Sequence, residues 1–263
     1  MNMLKYDTFF IIFMFKGVTL YSCQDLPGRA TLRDLIINGE IPNNIIDKNT
    51  QRNRNLPSIL RDVTSRQNRI IGVVDYFFQD RASSNSRYQD VHSTSAFILS
   101  PTDNILAVLG KGTDAHPTKN LLSQIIDGTQ NDVQYFTNLE IAPEPMLRIA
   151  RRVRDSREDN WCERPRFSHE AERYHGHVYN DYADGDFNCI FDTAQFIDEF
   201  PNSTGFSPII KYHSCDMLDP HADNRPKTMR FKHEGQISTS QPYNFENWDR
   251  FIFELVVPLL RGN

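Results

Sequence analysis

Residues 70–78 read Ile-Ile-Gly-Val-Val-Asp-Tyr-Phe-Phe, and this run decides how the surrounding chain is read. It is short, rich in β-branched and aromatic residues, and predicts a strand. Residues 96–99 (AFIL) and 105–109 (ILAVL) predict two more. Upstream, residues 18–22 (VTLYS) form another short β-like run. Thr31-Leu-Arg-Asp34 fits a helix N-cap with an acid three positions on, and Gly39 after Ile36-Ile37 suits the stop. Residues 43–55 are polar and predict a loop. Downstream, Met146, Ile149, Ala150 and Val153 recur at amphipathic spacing and predict a helix over 144–157. This alternation of strands and helices gives an α+β fold class.

After residue 163 the character changes. The stretch to Asp186 is rich in His, Tyr, Asp and Glu without a clean period. A short helix is expected over 191–200 and a strand over 208–212. The apolar end 251–260, with Pro258 inside it, is expected to pack as a final strand. These changes place a domain boundary near residue 165.

Bulk properties exclude some function classes. Hydrophobic residues are 39% and charged residues 24% of 263, the composition of a globular protein with material for a sizeable core. A formal net charge of −5 gives no reason to expect nucleic acid as a partner. No apolar stretch reaches the ~18 residues of a membrane span. Lys5, the apolar run 8–15 and Gly17 read as a secretory signal peptide over 1–17, and hence a secreted, extracellular chain. Cys23, Cys162, Cys189 and Cys215 are even in number and too widely spaced for a zinc knuckle, so three disulfide connectivities stay open. No metal site is expected: His169, His175 and His177, with Asp181 and Asp184, fit no ligand spacing, and the same holds for His213, Asp216, His221 and Asp223.

Several short words in one order resemble the A (enzyme) chain of cholera toxin and heat-labile enterotoxin, a NAD-dependent ADP-ribosyltransferase. Leu20-Tyr21 resembles the family's first strand, followed here by Pro27 and the 31–37 helix. Residues 49–56 (NTQRNRNL) are similar to the family's GTQMNINL, and Asp75-Tyr76-Phe77 to its Gly-Tyr-Val strand. His92-Ser93-Thr94 with 97–108 resembles the strand pair around ATAPNMFNV, and Ala115-His116-Pro117 the His-Pro before the glutamate turn. Residues 135–143 (YFTNLEIAP) are similar to YYSNLDIAP. The resemblance covers residues 18–165 and implies an ADP-ribosyltransferase-like fold of two small packed β-sheets with flanking helices. Residues 166–263 form a C-terminal extension with no recognised relative.

The family's chemistry needs a strand Arg whose planar fork holds the dinucleotide, a Ser-Thr-Ser strand that braces the site, and two glutamates one residue apart. Carried over by position, the Arg falls at Ser22, the Ser-Thr-Ser at Phe78-Gln79-Asp80, and the glutamates at Lys119 and Leu121. A lysine cation about 4 Å from the developing ribose cation costs ~4 kcal/mol at an effective dielectric of ~20, about three orders of magnitude in rate. No catalytic residue is intact, no cofactor is implied, and the resemblance reads as a pseudoenzyme that acts by binding a host or target protein. A rival reading keeps NAD and rebuilds the site, with His92-Ser93-Thr94-Ser95 supplying the Ser-Thr-Ser. Glu140 and Glu144 are then four apart rather than two.

In the family a disulfide-linked tail threads a pentameric B ring. Cys162 with Cys189 or Cys215 is the comparable pairing, but the apolar end 251–260 is unlike a polar threading helix and argues against a B-pentamer partner. Glu170-Ala-Glu-Arg-Tyr174 resembles the Glu-Ala-x-Arg-Phe signature of ribosome-inactivating N-glycosidases, without the buried helix that precedes it there. Arg148, Arg151, Arg152, Arg154 and Arg157 give the 144–157 helix a basic face, partly offset by Asp155, Glu158 and Asp159.

Overall fold

The computed structural model describes residues 13–38, 58–81, 88–110, 112–127, 135–157, 160–166, 207–219 and 225–262. The chain is α+β and divides into two compact units: Val18–Asn138, and Met1–Gly17 together with Leu139–Asn263.

The Val18–Asn138 unit holds most of β1 (Met14–Cys23), then α1 (Arg29–Asn38), β2 (Ser58–Arg66), β3 (Arg69–Arg81), β4 (Tyr88–Ser100), β5 (Ile105–Leu109), α2 (Gly112–Asp127) and β6 (Phe136–Asn138). Its strands run in the order β2-β3-β4-β5-β1, all antiparallel, with β6 on β1 as well. Side chains on a strand alternate between faces. In β3, Ile70, Val74 and Tyr76 join the core formed with Leu32 and Ile36 of α1 and Leu121, Leu122, Ile125 and Ile126 of α2. Val73 and Asp75 therefore stand on the opposite face. Gly72 is paired with Phe97, and a Cβ there would lie 2.7 Å from the Phe97 ring, so only glycine lets β4 place that ring in the core.

The other unit contains α3 (Pro143–Arg154), β7 (Trp161–Arg166), β8 (Ser207–Tyr212), β9 (Lys227–Phe231), β10 (Gln236–Asn244), α4 (Phe245–Arg250), a π-helical turn over Phe251–Val256 and α5 (Val257–Leu260). The strand order is β10-β9-β8-β7, antiparallel at each step, and residues 14–17 of β1 belong to this unit beside β10. Met146, Ile149, Ala150 and Val153 of α3 are all buried, as their spacing predicts, and so are Ile210, Tyr212, Met229, Phe231, Ile237 and Tyr243 on the strands.

Several expectations need correction. The apolar end is helical, not a strand. Asn244 caps α4 by accepting from the Asn247 amide at 2.8 Å, and Phe251, Ile252, Leu255, Val256 and Val257 are buried. An apolar run of this length is ambiguous in sequence, and the upstream cap decides it. Pro258 has no N–H for a helical bond, and the chain meets it through the wider π turn. α1 begins at Arg29 rather than Thr31, with the Leu32 amide bonded to Gly28 O at 2.9 Å. Residues 112–127, for which the sequence predicted no element, are a helix with Pro117 inside it. The compact units divide at Leu139, and α3 packs against β8 of the unit that follows. Residues 14–17 are part of β1, with Phe15 buried and its carbonyl accepting from Trp248 Nε1 at 3.0 Å. Cys215, a disulfide candidate, is a buried free thiol, and so is Cys23. Cys162 stands on β7, while Cys189, the 43–55 loop, the 191–200 helix, the Glu170–Arg173 motif and the histidines 169–177 lie outside the described residues.

Candidate functional site

A polar cluster in the Val18–Asn138 unit is built on the face of β2, β3 and β4 opposite α1 and α2. Asp75 interrupts the apolar run of β3 and is 9% exposed. A carboxylate so placed must find donors. Thr94, directly across on β4, donates its hydroxyl to Asp75 Oδ1 at 2.6 Å. Arg61 on β2 reaches it diagonally, with Nε donating to Oδ2 and Nη2 to Oδ1 at 3.3 Å. The register of β2 shifts just after Arg61, where Asp62 takes a left-handed φ of 55°. That irregularity aims the guanidinium at Asp75, and Asp62 then accepts from Arg61 Nη1 at 2.8 Å. His92 Nε2 lies 3.4 Å from Asp75 Oδ1, and His92, like Asp62, is exposed.

The electrostatics follow from these contacts. Burial alone would raise the Asp75 pKa, but hydrogen bonds from Arg61 and Thr94 and the nearby positive charge outweigh it and hold the carboxyl below its usual range. Arg61 is raised, chiefly by its hydrogen bond to Asp75. A carboxylate held ionised by an arginine fork is a weak proton acceptor, and a fork committed to two internal carboxylates does not clasp a diphosphate. The cluster acts as a brace across three strands.

The positions named by the resemblance are not brought together. Ser22 is tied to Thr137 on β6, oxygen to oxygen at 2.6 Å. Tyr21, the next residue along β1, points to the helical face, where Lys119 Nζ sits 5.4 Å from its ring centroid. Burial lowers the Lys119 pKa and pushes Tyr21 and Cys23 each up to about 12. Ser22 and Lys119 thus serve opposite faces of one sheet. Leu121 is fully buried in the core. Phe78 lies on β3, across from Val91. The alternative Ser-Thr-Ser is also divided: Thr94 bonds Asp75 on one face, while Ser95 meets Thr118 of α2 at 2.5 Å on the other.

Glu140 and Glu144 fall in the second unit. Glu140 lies 3.9 Å from His233 Nε2, whose Nδ1 meets Ile141 O at 3.0 Å, and Glu144 pairs with Arg148 on α3 at 3.2 Å. Arg148 also donates to Leu259 O at 3.0 Å, and Arg154 pairs with Asp155 at 2.7 Å, so much of the α3 basic face is engaged internally. Among the described residues no group of His, Cys, Asp and Glu is arranged to hold a metal ion, and no helix is long and apolar enough to cross a membrane. Arg61 and Asp75 were not singled out as a site in sequence. The signal was the single carboxylate inside Ile-Ile-Gly-Val-Val-Asp-Tyr-Phe-Phe, which implies a cationic partner without naming it.

No protein-family model matches the chain, and no curated protein matches it.

Proposed function

We propose that this chain is a secreted, toxin-like effector with the ADP-ribosyltransferase-like fold of the enterotoxin A chain, that it has lost transferase chemistry, and that it acts by binding a target protein. One observation carries the loss of chemistry: the positions where transfer residues would stand are spent on the fold. Ser22 is closed onto Thr137, Lys119 covers Tyr21, and Leu121 is core. A glutamate cannot be restored at Leu121 without burying a charge, which costs on the order of 4 kcal/mol together with the lost leucine packing.

The rival, an active transferase using NAD at a rebuilt site, draws on the convergence of Arg61, Thr94 and Asp75. Transfer of labelled ADP-ribose from NAD to an arginine analogue separates the two. The expected result is no label above background for the full chain and for Arg61→Lys alike. Label transferred by the full chain overturns the proposal, and its loss in Arg61→Lys assigns the activity to the Asp75 cluster.

A further inference from the structure

Helix α3 turns one face to the core and the other outward. Met146, Leu147, Ile149, Ala150 and Val153 are buried, while Glu144, Arg148, Arg151, Arg152 and the C-cap residue Asp155 fall on the opposite side of the helical turn. Arg148, Arg151 and Arg152 follow at i, i+3 and i+4, the spacing of neighbours on a helix surface. Arg148 and Arg151 are half-buried, and Arg152 is exposed. The middle of this face is therefore made of three adjacent guanidinium groups, in a chain whose net charge is −5.

The acids on this face leave that charge largely unmatched. Glu144 pairs with Arg148 Nη1 at 3.2 Å, and Asp155, one turn beyond Arg151, is bonded instead to Arg154 Nε at 2.7 Å. Arg148 Nη2 donates to Leu259 O at 3.0 Å, which holds that guanidinium in place. Nε of Arg148 and Nε of Arg151 are both shut off from water and have no hydrogen-bond partner. An arginine fork is made by Nε together with an Nη nitrogen, so each of these side chains has a fork left incomplete. An unpaired donor on a charged group costs stability that an incoming acceptor restores. Like charges at i and i+4, as at Arg148 and Arg152, also repel until an anion lies between them.

We infer that Arg148, Arg151 and Arg152 bind a phosphorylated side chain of the target protein on the outer face of α3. Glu144 offsets one of the three cations. The charge that is left matches a phosphomonoester, which carries about −1.5 to −2 at pH 7. A carboxylate fills a single fork with its two oxygens, whereas three phosphoryl oxygens accept from donors that arrive from several side chains. The inference rests on the protein-binding reading above and names the group that would be recognised.

The test is fluorescence anisotropy of the full chain with a labelled alanine-rich peptide carrying one phosphoserine, beside its serine and glutamate versions. The phosphopeptide is expected to bind about tenfold more tightly than either, and more weakly as salt rises. Inorganic phosphate should compete with it, while chloride at equal ionic strength should not. Arg151→Gln and Arg152→Gln should each weaken phosphopeptide binding about tenfold with unchanged melting temperature. Arg151→Lys, which keeps the charge but not the fork, should weaken it as well. Because Arg152 is exposed, its variant keeps the test valid even if replacing Arg151 disturbs the helix. Equal binding of the serine and phosphoserine peptides, or unchanged binding by the Arg152→Gln chain, overturns the inference. Capture of inorganic phosphate without a preference for the phosphopeptide overturns it too, because the site then takes a free anion. ADP-ribose transfer is measured without these peptides, so failure here and failure of the lost-transferase reading are read separately.

Discussion

Asp75 shows how much one residue can organise. It sits 9% exposed on a strand and stays ionised because Arg61 and Thr94 donate to it. Its pKa is lowered by folding, so its pairing contributes stability above the unfolded value of about 3.9 and loses it as pH falls through the folded value. Arg61→Met should therefore cost on the order of 2 kcal/mol at pH 7, read by urea denaturation, and the gap from the parent chain should narrow toward pH 3. A gap that stays constant across that range would mean that Arg61 contributes through packing, not through the Asp75 charge. The pair was only half legible beforehand. A carboxylate inside an apolar strand demands a partner, but the partner comes from β2, 14 residues away and diagonal in register. Which strand supplies it depends on the pairing, and no periodicity records that.

Between elements, buried side-chain amides join what sequence distance separates. Asn160 is 7% exposed and donates to Val153 O and Ser214 O, each at 3.0 Å, while its oxygen accepts from the His213 amide at 2.8 Å. It thereby ties the end of α3 to the chain leaving β8. Asn160→Ala would remove these three hydrogen bonds at once and should cost about 3 kcal/mol, measured by thermal unfolding, with Asn160→Asp also destabilised because a carboxylate cannot donate. Elements whose faces follow a simple period were legible: α3 from its apolar spacing and β5 over the same five residues that predicted it. α2 was not, because Pro117 and the polar 112–120 segment obscure a helix held by Leu121, Leu122, Ile125 and Ile126 against the sheet. Lys119 and Leu121 were set at the glutamate turn by the resemblance alone.

For the whole molecule, β1 is the strand whose residues belong to both compact units. Phe15 is 5% exposed, and its carbonyl accepts from buried Trp248. A chain beginning at Val18 should be less stable than one beginning at Phe13 by about 3 kcal/mol, from lost apolar burial and one lost buried hydrogen bond. Denaturant titration followed by tryptophan fluorescence checks this. Equal stabilities would mean that residues 13–17 add nothing to the stability of the fold.

The order of residues alone sets the α+β class, the positions of β1, β3, β4, β5 and β8 and the buried stripe of α3, because each follows from a local pattern of hydrophobicity that one element satisfies. In the proposed reading, Ser22, Phe78, Lys119 and Leu121 stand at the transfer positions, and none is the residue type the chemistry requires. Only tertiary structure decides that Ser22 and Lys119 serve opposite faces, that Arg61 finds Asp75, and that the apolar end coils instead of extending. Those outcomes depend on strand register and on which surfaces are left to cover, and both are fixed by contacts between residues far apart in the chain.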